Sequence, residues 1–252
     1  MTQRLSFETC GDPAHPAVML LHGFMSCNAQ WMPNVNALSR RYYLVMVELL
    51  GHGKSVRSSD PSDYSITTYT REFERIRTQL GIDAWHLIGQ SYGAGLVLHY
   101  ASAHPEQCRR VVVTNSRSAF GRIGRGSRTR RARSPGTQFD PRRLPFHPIH
   151  ARRVPDAVKT AMVRSADAMS ETTIELSGGL ASDLAASHLL ADLSADVLIV
   201  NGVYEKAFQA DIETLTACYK DLKVTRLEAG HSVNIEAAAA FNDAVLEFLD
   251  NL

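Results

Sequence analysis

The residue best suited to nucleophilic chemistry in this chain is a serine between two glycines. The segment Gly89-Gln-Ser-Tyr-Gly93 has the pattern G-x-S-x-G, follows a short apolar run and precedes a segment rich in small residues. Glycines on both sides of Ser91 allow a turn too sharp for larger side chains. A chance glycine-rich turn is the alternative, and the flanking segments argue against it. The pattern predicts that Ser91 is a nucleophile at the tip of a strand-to-helix turn.

A serine hydroxyl needs a nearby base to become a nucleophile at neutral pH. Among the ten histidines, His231 is the best placed, because it follows the end of a predicted strand and precedes the last predicted helix. The other histidines lie within helices or strands, in a central insertion, or before the serine in the chain. Although a lone histidine is more often structural, its position predicts that His231 is the base.

The base in turn needs a carboxylate that fixes its tautomer and stabilises its positive charge. The loop after the apolar run 197–200 reads Asn-Gly-Val-Tyr-Glu-Lys, and Glu205 is its one carboxylate. The alternative is that Glu205 is a solvated loop residue paired with Lys206. We predict that Glu205 is the acid partner of His231.

Six short apolar runs form the framework that must position these residues. They span 17–21, 43–47, 85–88, 111–113, 196–200 and 223–227. Most of them do not alternate with polar residues, which is typical of parallel strands buried on both faces. Helical patterns lie between or after them, at 67–80, 92–103 and 237–252. The predicted fold class is α/β, with a mostly parallel sheet, helices on both faces and a site at the carboxyl ends of the strands.

The alternation of strands and helices stops between about residues 118 and 191. This part begins with a glycine- and arginine-rich stretch at 121–133, continues with four prolines, and ends with helical candidates at 156–169 and 171–180. We predict a core formed by 1–117 and 192–252, and a partly helical cap at 118–191 with a flexible entrance.

The positive charge is concentrated in the same region. Twelve arginines and one lysine lie between Arg117 and Arg164, against two aspartates, although the whole chain has a net charge of +1. Nucleic-acid binding is disfavoured, because aromatic residues do not interleave with this charge and the region replaces a cap. Two readings remain: a solvated loop, or arginines that bind a carboxylate, a phosphate or a coenzyme A thioester. Arg117 is the preferred anion-binding residue because it is nearest to a strand end.

In combination, these motifs resemble the α/β-hydrolase superfamily. The resemblance is carried by His22-Gly23-Phe24, Gly51-His-Gly-Lys-Ser55, Gly89-Gln-Ser-Tyr-Gly93, Gly202-x-x-Glu205 and Gly230-His231. It implies the α/β-hydrolase fold with an inserted cap, and the chain order serine, acid, histidine. It also implies an oxyanion hole formed by the backbone N–H groups of Phe24 and Tyr92. We further expect Met25, Asn115, Arg117 and Tyr204 to contact the substrate.

Three positions depart from the usual pattern of this superfamily. The acid there is usually aspartate, whereas this chain has Glu205, one methylene longer. Asn115, at the alternative acid position of some relatives, carries no charge. Glu48 stands where aspartate is common. We expect Glu48 and Glu236 to be structural.

Acyl transfer is the chemistry that the resemblance implies. A serine at the strand-to-helix turn (the nucleophile elbow) argues against dehalogenases and epoxide hydrolases. We therefore expect an esterase or thioesterase that forms an acyl-enzyme. Two alternatives stay open: a C–C hydrolase or lyase acting on a ketone or dienone, and a binding protein without activity. The Gln90-Ser-Tyr92 elbow differs from the common C–C hydrolase elbow, and the presence of Ser91 with His231 argues against a dead site.

The remaining expectations concern partners and compartment. The four cysteines lack paired or metal-like spacing, and no signal peptide or apolar run of about 20 residues is evident. We therefore expect a cytoplasmic protein with free thiols, a small-molecule substrate, and neither a metal nor an organic cofactor. No nucleic acid or membrane partner is expected, and a homodimer is left open.

Overall fold

The fold is a seven-stranded sheet with helices on both faces, seen in a computed structural model that describes residues 4–121 and 139–251. Within these residues the strands are β1 (Phe7–Cys10), β2 (Ala17–Leu21), β3 (Tyr43–Val47), β4 (Trp85–Gly89), β5 (Cys108–Thr114), β6 (Asp196–Gly202) and β7 (Lys223–Leu227). Their order across the sheet is β1-β3-β2-β4-β5-β6-β7. All neighbours are parallel except β1, which runs antiparallel to β3 at one edge. The predicted α/β class with a mostly parallel sheet is confirmed.

The strands are continuously apolar because both faces of the sheet are covered. Along β2, Met19 and Leu21 pack into the core on one face, while Val18 and Leu20 pack into the core on the other. Side chains alternate across a strand, so a strand between two helical layers needs apolar residues at every position. The edge strand β1 has no strong sequence pattern, because Phe7 and Cys10 are only partly buried and Glu8 and Thr9 are polar and exposed.

The helices connect the strands and form the two outer layers. Those described are α1 (Met32–Leu38), α2 (Ile66–Gln79), α3 (Tyr92–Ala103), α4 (Arg117–Phe120), α5 (Asp156–Asp167), α6 (Glu171–Leu180), α7 (Lys206–Cys218), α8 (Val233–Glu236) and α9 (Ala238–Asp250). Helices α2, α3 and α7 cover one face, and α1 and α9 cover the other. The helix predicted at 237–252 is α9, and Ala237, which has non-helical backbone angles, separates it from the short α8.

The strand order creates a crevice beside the nucleophile. β2 is followed in the chain by β3, which lies on one side of it, and β4 is followed by β5, which lies on the other side. The loops that leave β2 and β4 therefore run in opposite directions. Such a switch point opens a ligand site at the carboxyl ends of the strands. Phe24 follows β2 and Ser91 follows β4, so the order of the strands places them at this crevice.

The insertion between β5 and β6 contains α4, α5 and α6, so both predicted helical candidates are helices. It packs against the loops of the switch point: the Tyr92 hydroxyl donates to the Ser177 carbonyl at 3.0 Å. Residues 122–138, which include most of the arginine-rich stretch predicted to be a flexible entrance, lie outside the described residues. The division into core and cap stays a prediction.

In the described part of the chain, no helix is both long enough and apolar enough for a membrane span.

Candidate active site

The strand-to-helix turn holds Ser91 in a strained backbone conformation. Ser91 has φ 52° and ψ −112°, angles that non-glycine residues rarely adopt. The flanking glycines make this turn sterically possible, since a Cβ on Gly93 would lie 2.5 Å from the carbonyl oxygen of Leu21. The Ser116 hydroxyl donates to the Ser91 carbonyl at 2.7 Å and ties the turn to the end of β5. Strain of this kind is found where function needs one fixed geometry.

The three predicted triad residues meet at the carboxyl edge of the sheet. Nε2 of His231 lies 2.9 Å from Oγ of Ser91, and Nδ1 of His231 lies 2.9 Å from Oε2 of Glu205. Both distances are typical of hydrogen bonds. The neutral imidazole that donates to Glu205 from Nδ1 has a free lone pair on Nε2, which can accept the serine proton.

The two charged members of this array change each other's pKa. Partial burial opposes the charged form of Glu205, but the hydrogen bond and charge of His231, aided by Asn115 and Arg117, lower the pKa of Glu205 overall. Neighbouring protein also desolvates His231, yet Glu205, with a further contribution from Glu236, raises the pKa of His231 above its ordinary value. Because 47% of the His231 side chain is exposed, its desolvation is incomplete and the effect of the carboxylate dominates.

Asn115 fixes the start of the acid loop, the segment 202–205 that carries Glu205. The Asn115 side-chain amide donates to the Gly202 carbonyl at 3.0 Å, and its oxygen accepts from the Gly202 N–H at 2.8 Å. Asn115 is fully buried. Its polar atoms thus fix the backbone three residues before Glu205, and contact of Asn115 with the substrate stays a prediction.

Replacement of Asn115 by alanine should destabilise the protein and misplace the acid. The change removes the acceptor of the buried Gly202 N–H, while the Gly202 carbonyl keeps the Glu205 N–H and the Gln209 side chain as donors, so we expect a loss of about 2 kcal/mol in the free energy of unfolding. Urea denaturation measures this loss. Asn36→Ala, at an exposed position on α1, is the matched control and should stay within about 0.5 kcal/mol of the parent. Equal stabilities for the two variants would contradict this role for Asn115.

The predicted oxyanion donors lie on the two loops of the switch point. Among the described residues, neither the Phe24 nor the Tyr92 backbone N–H donates to a protein acceptor. Their rings stack with centroids 5.9 Å apart. A Cβ on Gly23 would lie 3.3 Å from Cβ of Ser91, so the start of the β2 loop packs against the nucleophile. Both N–H groups are therefore free to bind an oxyanion beside Ser91.

The side chain of Met25 is not at the surface of the site. Only 1% of Met25 is exposed, and it packs against Ala166, Met169 and Ile174 of the insertion. The side chain therefore joins this loop to the insertion, and contact of Met25 with the substrate stays a prediction.

Arg117 and Tyr204, also predicted to contact the substrate, are accessible. The Arg117 side chain is 56% exposed, and its Nε lies 4.0 Å from Oδ2 of Asp211. Tyr204 precedes the acid and is 48% exposed, with the Arg153 guanidinium 4.7 Å from its ring centroid. These two arginines place positive charge beside the acid loop. Contact of Arg117 or Tyr204 with a substrate stays a prediction.

The two carboxylates that were expected to be structural each connect loops. Glu236 accepts from the backbone N–H groups of Gly230 and Ser232, on either side of His231. Glu48 is 8% exposed and accepts from the Asn28 N–H at 3.1 Å.

Two further residues near the nucleophile were not among those predicted from the sequence. Gln90 donates to the His231 carbonyl at 3.3 Å, and Ser116 holds the Ser91 carbonyl. Their positions, inside the serine motif and directly after Asn115, are the signals that could have drawn attention to them.

Comparison with known proteins agrees with this architecture. The fold and the Ser–His–Glu array define a class of α/β proteins with a serine at a strand-to-helix turn. A family model described as alpha/beta hydrolase fold matches residues 16–166. The chain belongs to this α/β-hydrolase family.

Individual relatives are more distant. The chain is 31% identical over 114 residues to a proline iminopeptidase of Xylella fastidiosa, a match that covers 44% of this chain and 36% of the relative. The chain thus spans about a third of the length of the curated relatives it matches first.

Two solved structures share the fold over nearly the whole chain. A hydrolase from Pseudomonas aeruginosa PA01 superposes with a TM-score of 0.80 at 20% identity, covering 97% of this chain and 94% of its own. The enol-lactonase from Burkholderia xenovorans LB400 gives a TM-score of 0.78 at 21% identity, with 98% and 96% covered.

Proposed function

We propose that this protein is a serine hydrolase that cleaves an ester or thioester of a small, anionic substrate through an acyl-enzyme. The observation that carries the proposal is the hydrogen-bonded array of Ser91, His231 and Glu205, with 2.9 Å at each contact, on a strained turn. An accessible nucleophile, an oriented base and two free N–H groups are the parts that acyl transfer requires.

The chemistry follows from the positions of these atoms. Oγ of Ser91 attacks the substrate carbonyl while Nε2 of His231 takes the hydroxyl proton. The carbonyl oxygen becomes an oxyanion that accepts from the N–H groups of Phe24 and Tyr92. When the tetrahedral intermediate collapses, His231 gives its proton to the leaving alcohol or thiol, and an acyl-serine remains. Water then attacks this ester with His231 as the base, and the acid is released.

The charges around the site favour an anionic substrate. Arg117 and Arg153 flank the acid loop, and both lie within the basic part of the sequence. A guanidinium binds carboxylate and phosphate groups through two parallel hydrogen bonds. The N-terminal amine of an iminopeptidase substrate would meet these cations instead of carboxylates, so activity of that kind is the weaker candidate.

Replacement of Arg117 by alanine should raise KM for an acidic ester about tenfold, because one charge-assisted contact is lost. KM for a neutral ester of the same length should stay within about twofold of the parent value, because a neutral ester lacks this contact. Steady-state kinetics on p-nitrophenyl hemisuccinate and p-nitrophenyl butyrate measure the difference. Arg40→Ala is the matched control, since this exposed arginine lies just before the amino end of β3, whereas the site lies at the carboxyl ends of the strands. Equal changes in KM for the two esters would exclude Arg117 as the anion-binding residue.

The proposal is tested first by labelling with a fluorophosphonate probe, which reacts with activated serines. Ser91 should be the labelled residue, as located by peptide mass spectrometry. p-Nitrophenyl esters of increasing chain length, acyl-coenzyme A thioesters and prolyl p-nitroanilide are then compared by kcat/KM. An unlabelled protein would contradict the proposed activity. Labelling with turnover of the anilide alone would replace the ester assignment by a peptidase.

A further inference from the structure

The loop that follows β2 contains a strained residue whose role the reaction leaves unexplained. Met25 has a backbone φ of 56°, which lies in the left-handed region that few residues other than glycine and asparagine adopt. The turn containing it is closed by a hydrogen bond from the Ser26 N–H to the Gly23 carbonyl, 3.2 Å long. Strain at one residue persists only where the surrounding structure enforces it. Two contacts of Met25 meet this requirement.

The first contact is between the Met25 backbone and a buried histidine. The Met25 N–H donates to Nε2 of His52 at 3.1 Å. Nδ1 of His52 lies 3.0 Å from the Leu50 carbonyl, which accepts its proton, so Nε2 keeps a free lone pair. Burial, together with the charge of His22, lowers the pKa of His52 to about 3. The ring is therefore neutral around pH 7 and Nε2 remains an acceptor.

The second contact is between the Met25 side chain and the insertion. The side chain is almost completely buried against Ala166, Met169 and Ile174, which belong to α5, the residues after it, and α6. The turn at 23–26 is thus fixed from the core side by His52 and from the insertion side by the thioether. The Phe24 N–H, one residue earlier, is left without an acceptor among the described residues.

We propose that His52 and Met25 are positioning residues that hold the 23–26 turn with the Phe24 N–H directed at the oxyanion formed on Ser91. The inference rests on the proposed function, because it concerns the transition state of that reaction. Since the oxyanion exists only after the substrate is bound and attacked, loss of either restraint should lower kcat and leave KM nearly unchanged.

The decisive comparison is His52→Leu against His52→Gln. Leucine removes the acceptor for the Met25 N–H, and we expect kcat for p-nitrophenyl acetate to fall about 100-fold, with KM within about twofold. The amide oxygen of glutamine can accept from the same N–H, so His52→Gln should recover kcat to within about fivefold of the parent. His86→Leu removes another buried imidazole, on β4 against Tyr42, and should keep kcat within about twofold.

A second pair tests the contact with the insertion. Met25→Ala and Met169→Ala each remove a buried thioether from the same cluster, so their melting temperatures should fall by similar amounts. Only Met25→Ala removes the anchor on the turn itself. We expect kcat to fall about tenfold for Met25→Ala and less than twofold for Met169→Ala. This pair keeps the inference testable even if His52→Leu does not fold.

Specific outcomes would overturn the inference. A folded His52→Leu protein with unchanged kcat, a raised KM in place of a lowered kcat, or equal kcat losses for the two methionine variants would each do so. If the fluorophosphonate probe fails to label the parent protein, the proposed function fails and this inference fails with it. A labelled parent with unaffected variants contradicts the inference alone.

Discussion

Replacement of Ser91 by alanine is expected to lower kcat/KM by at least about 10⁴-fold and to abolish fluorophosphonate labelling. The hydroxyl is the atom that forms the covalent bond, and among the described residues no other side chain hydrogen-bonds Nε2 of His231 as an attacking group would. Binding of the substrate and the N–H groups of Phe24 and Tyr92 survive the change. A small residual rate over uncatalysed hydrolysis should therefore remain.

Protein stability separates this chemical effect from a structural one. The melting temperature of Ser91→Ala should stay within about 2 °C of the parent, because the backbone strain and the buried glycines of the turn are unchanged. Ser102→Ala, at an exposed position on the helix that follows the turn, is the matched control and should retain full activity and labelling. Activity of Ser91→Ala within tenfold of the parent would require a different nucleophile.

Replacement of Glu205 by glutamine is expected to lower kcat by about 10³- to 10⁴-fold, measured with the best ester from the substrate screen. Glutamine offers His231 an uncharged partner and cannot stabilise the imidazolium. Glu205→Asp keeps the charge but shortens the side chain by one methylene, so the 2.9 Å contact with Nδ1 is lost. A smaller loss, of about 10- to 100-fold, is expected for the aspartate variant.

The pH profile gives an independent reading of the same interaction. His231 must be neutral to act as base, so kcat/KM falls as the pH drops through the pKa of His231. Glu205 raises that pKa above its ordinary value, and removal of the negative charge should move the acid limb of the profile to lower pH. Glu228→Gln, which neutralises an exposed carboxylate three residues before His231, should leave the limb in place. Profiles that coincide for Glu205→Gln and the parent would show that another group is the acid.

The sequence was sufficient to predict the residues that stand out by type and position. Ser91, His231 and Glu205 each follow an apolar strand, and parallel strands bring such loops to one edge, so their meeting could be expected before any coordinates. The packing of Asn115 and Met25 could not be predicted, for a common reason. Both lie in the correct loops, but a sequence does not reveal which way a loop side chain points, and here both point into packed protein.

Other features depended on contacts between distant parts of the chain. His52 was part of a recognised motif, yet its hydrogen bond to the Met25 N–H joins loops that leave different strands. The edge strand β1 is stabilised by pairing with β3 and has no strong pattern of its own. Interactions that arise only when segments meet in three dimensions leave little trace in either segment alone.

The insertion leaves the core at β5 and returns at β6, and these strands are hydrogen-bonded neighbours with Val113 opposite Ile199. These strands are parallel, so the chain leaves at the carboxyl end of β5 and re-enters at the amino end of β6, but the Ala186 N–H donates to the Ala119 carbonyl at 2.7 Å and brings the two ends of the insertion together. The entropic cost of a longer excursion between these ends grows only with the logarithm of its length. Such a connection is a natural place for exchange of whole segments, whether by recombination or in the laboratory. A grafted segment can bring new specificity without touching the strands, provided that it supplies an apolar pocket for Met25.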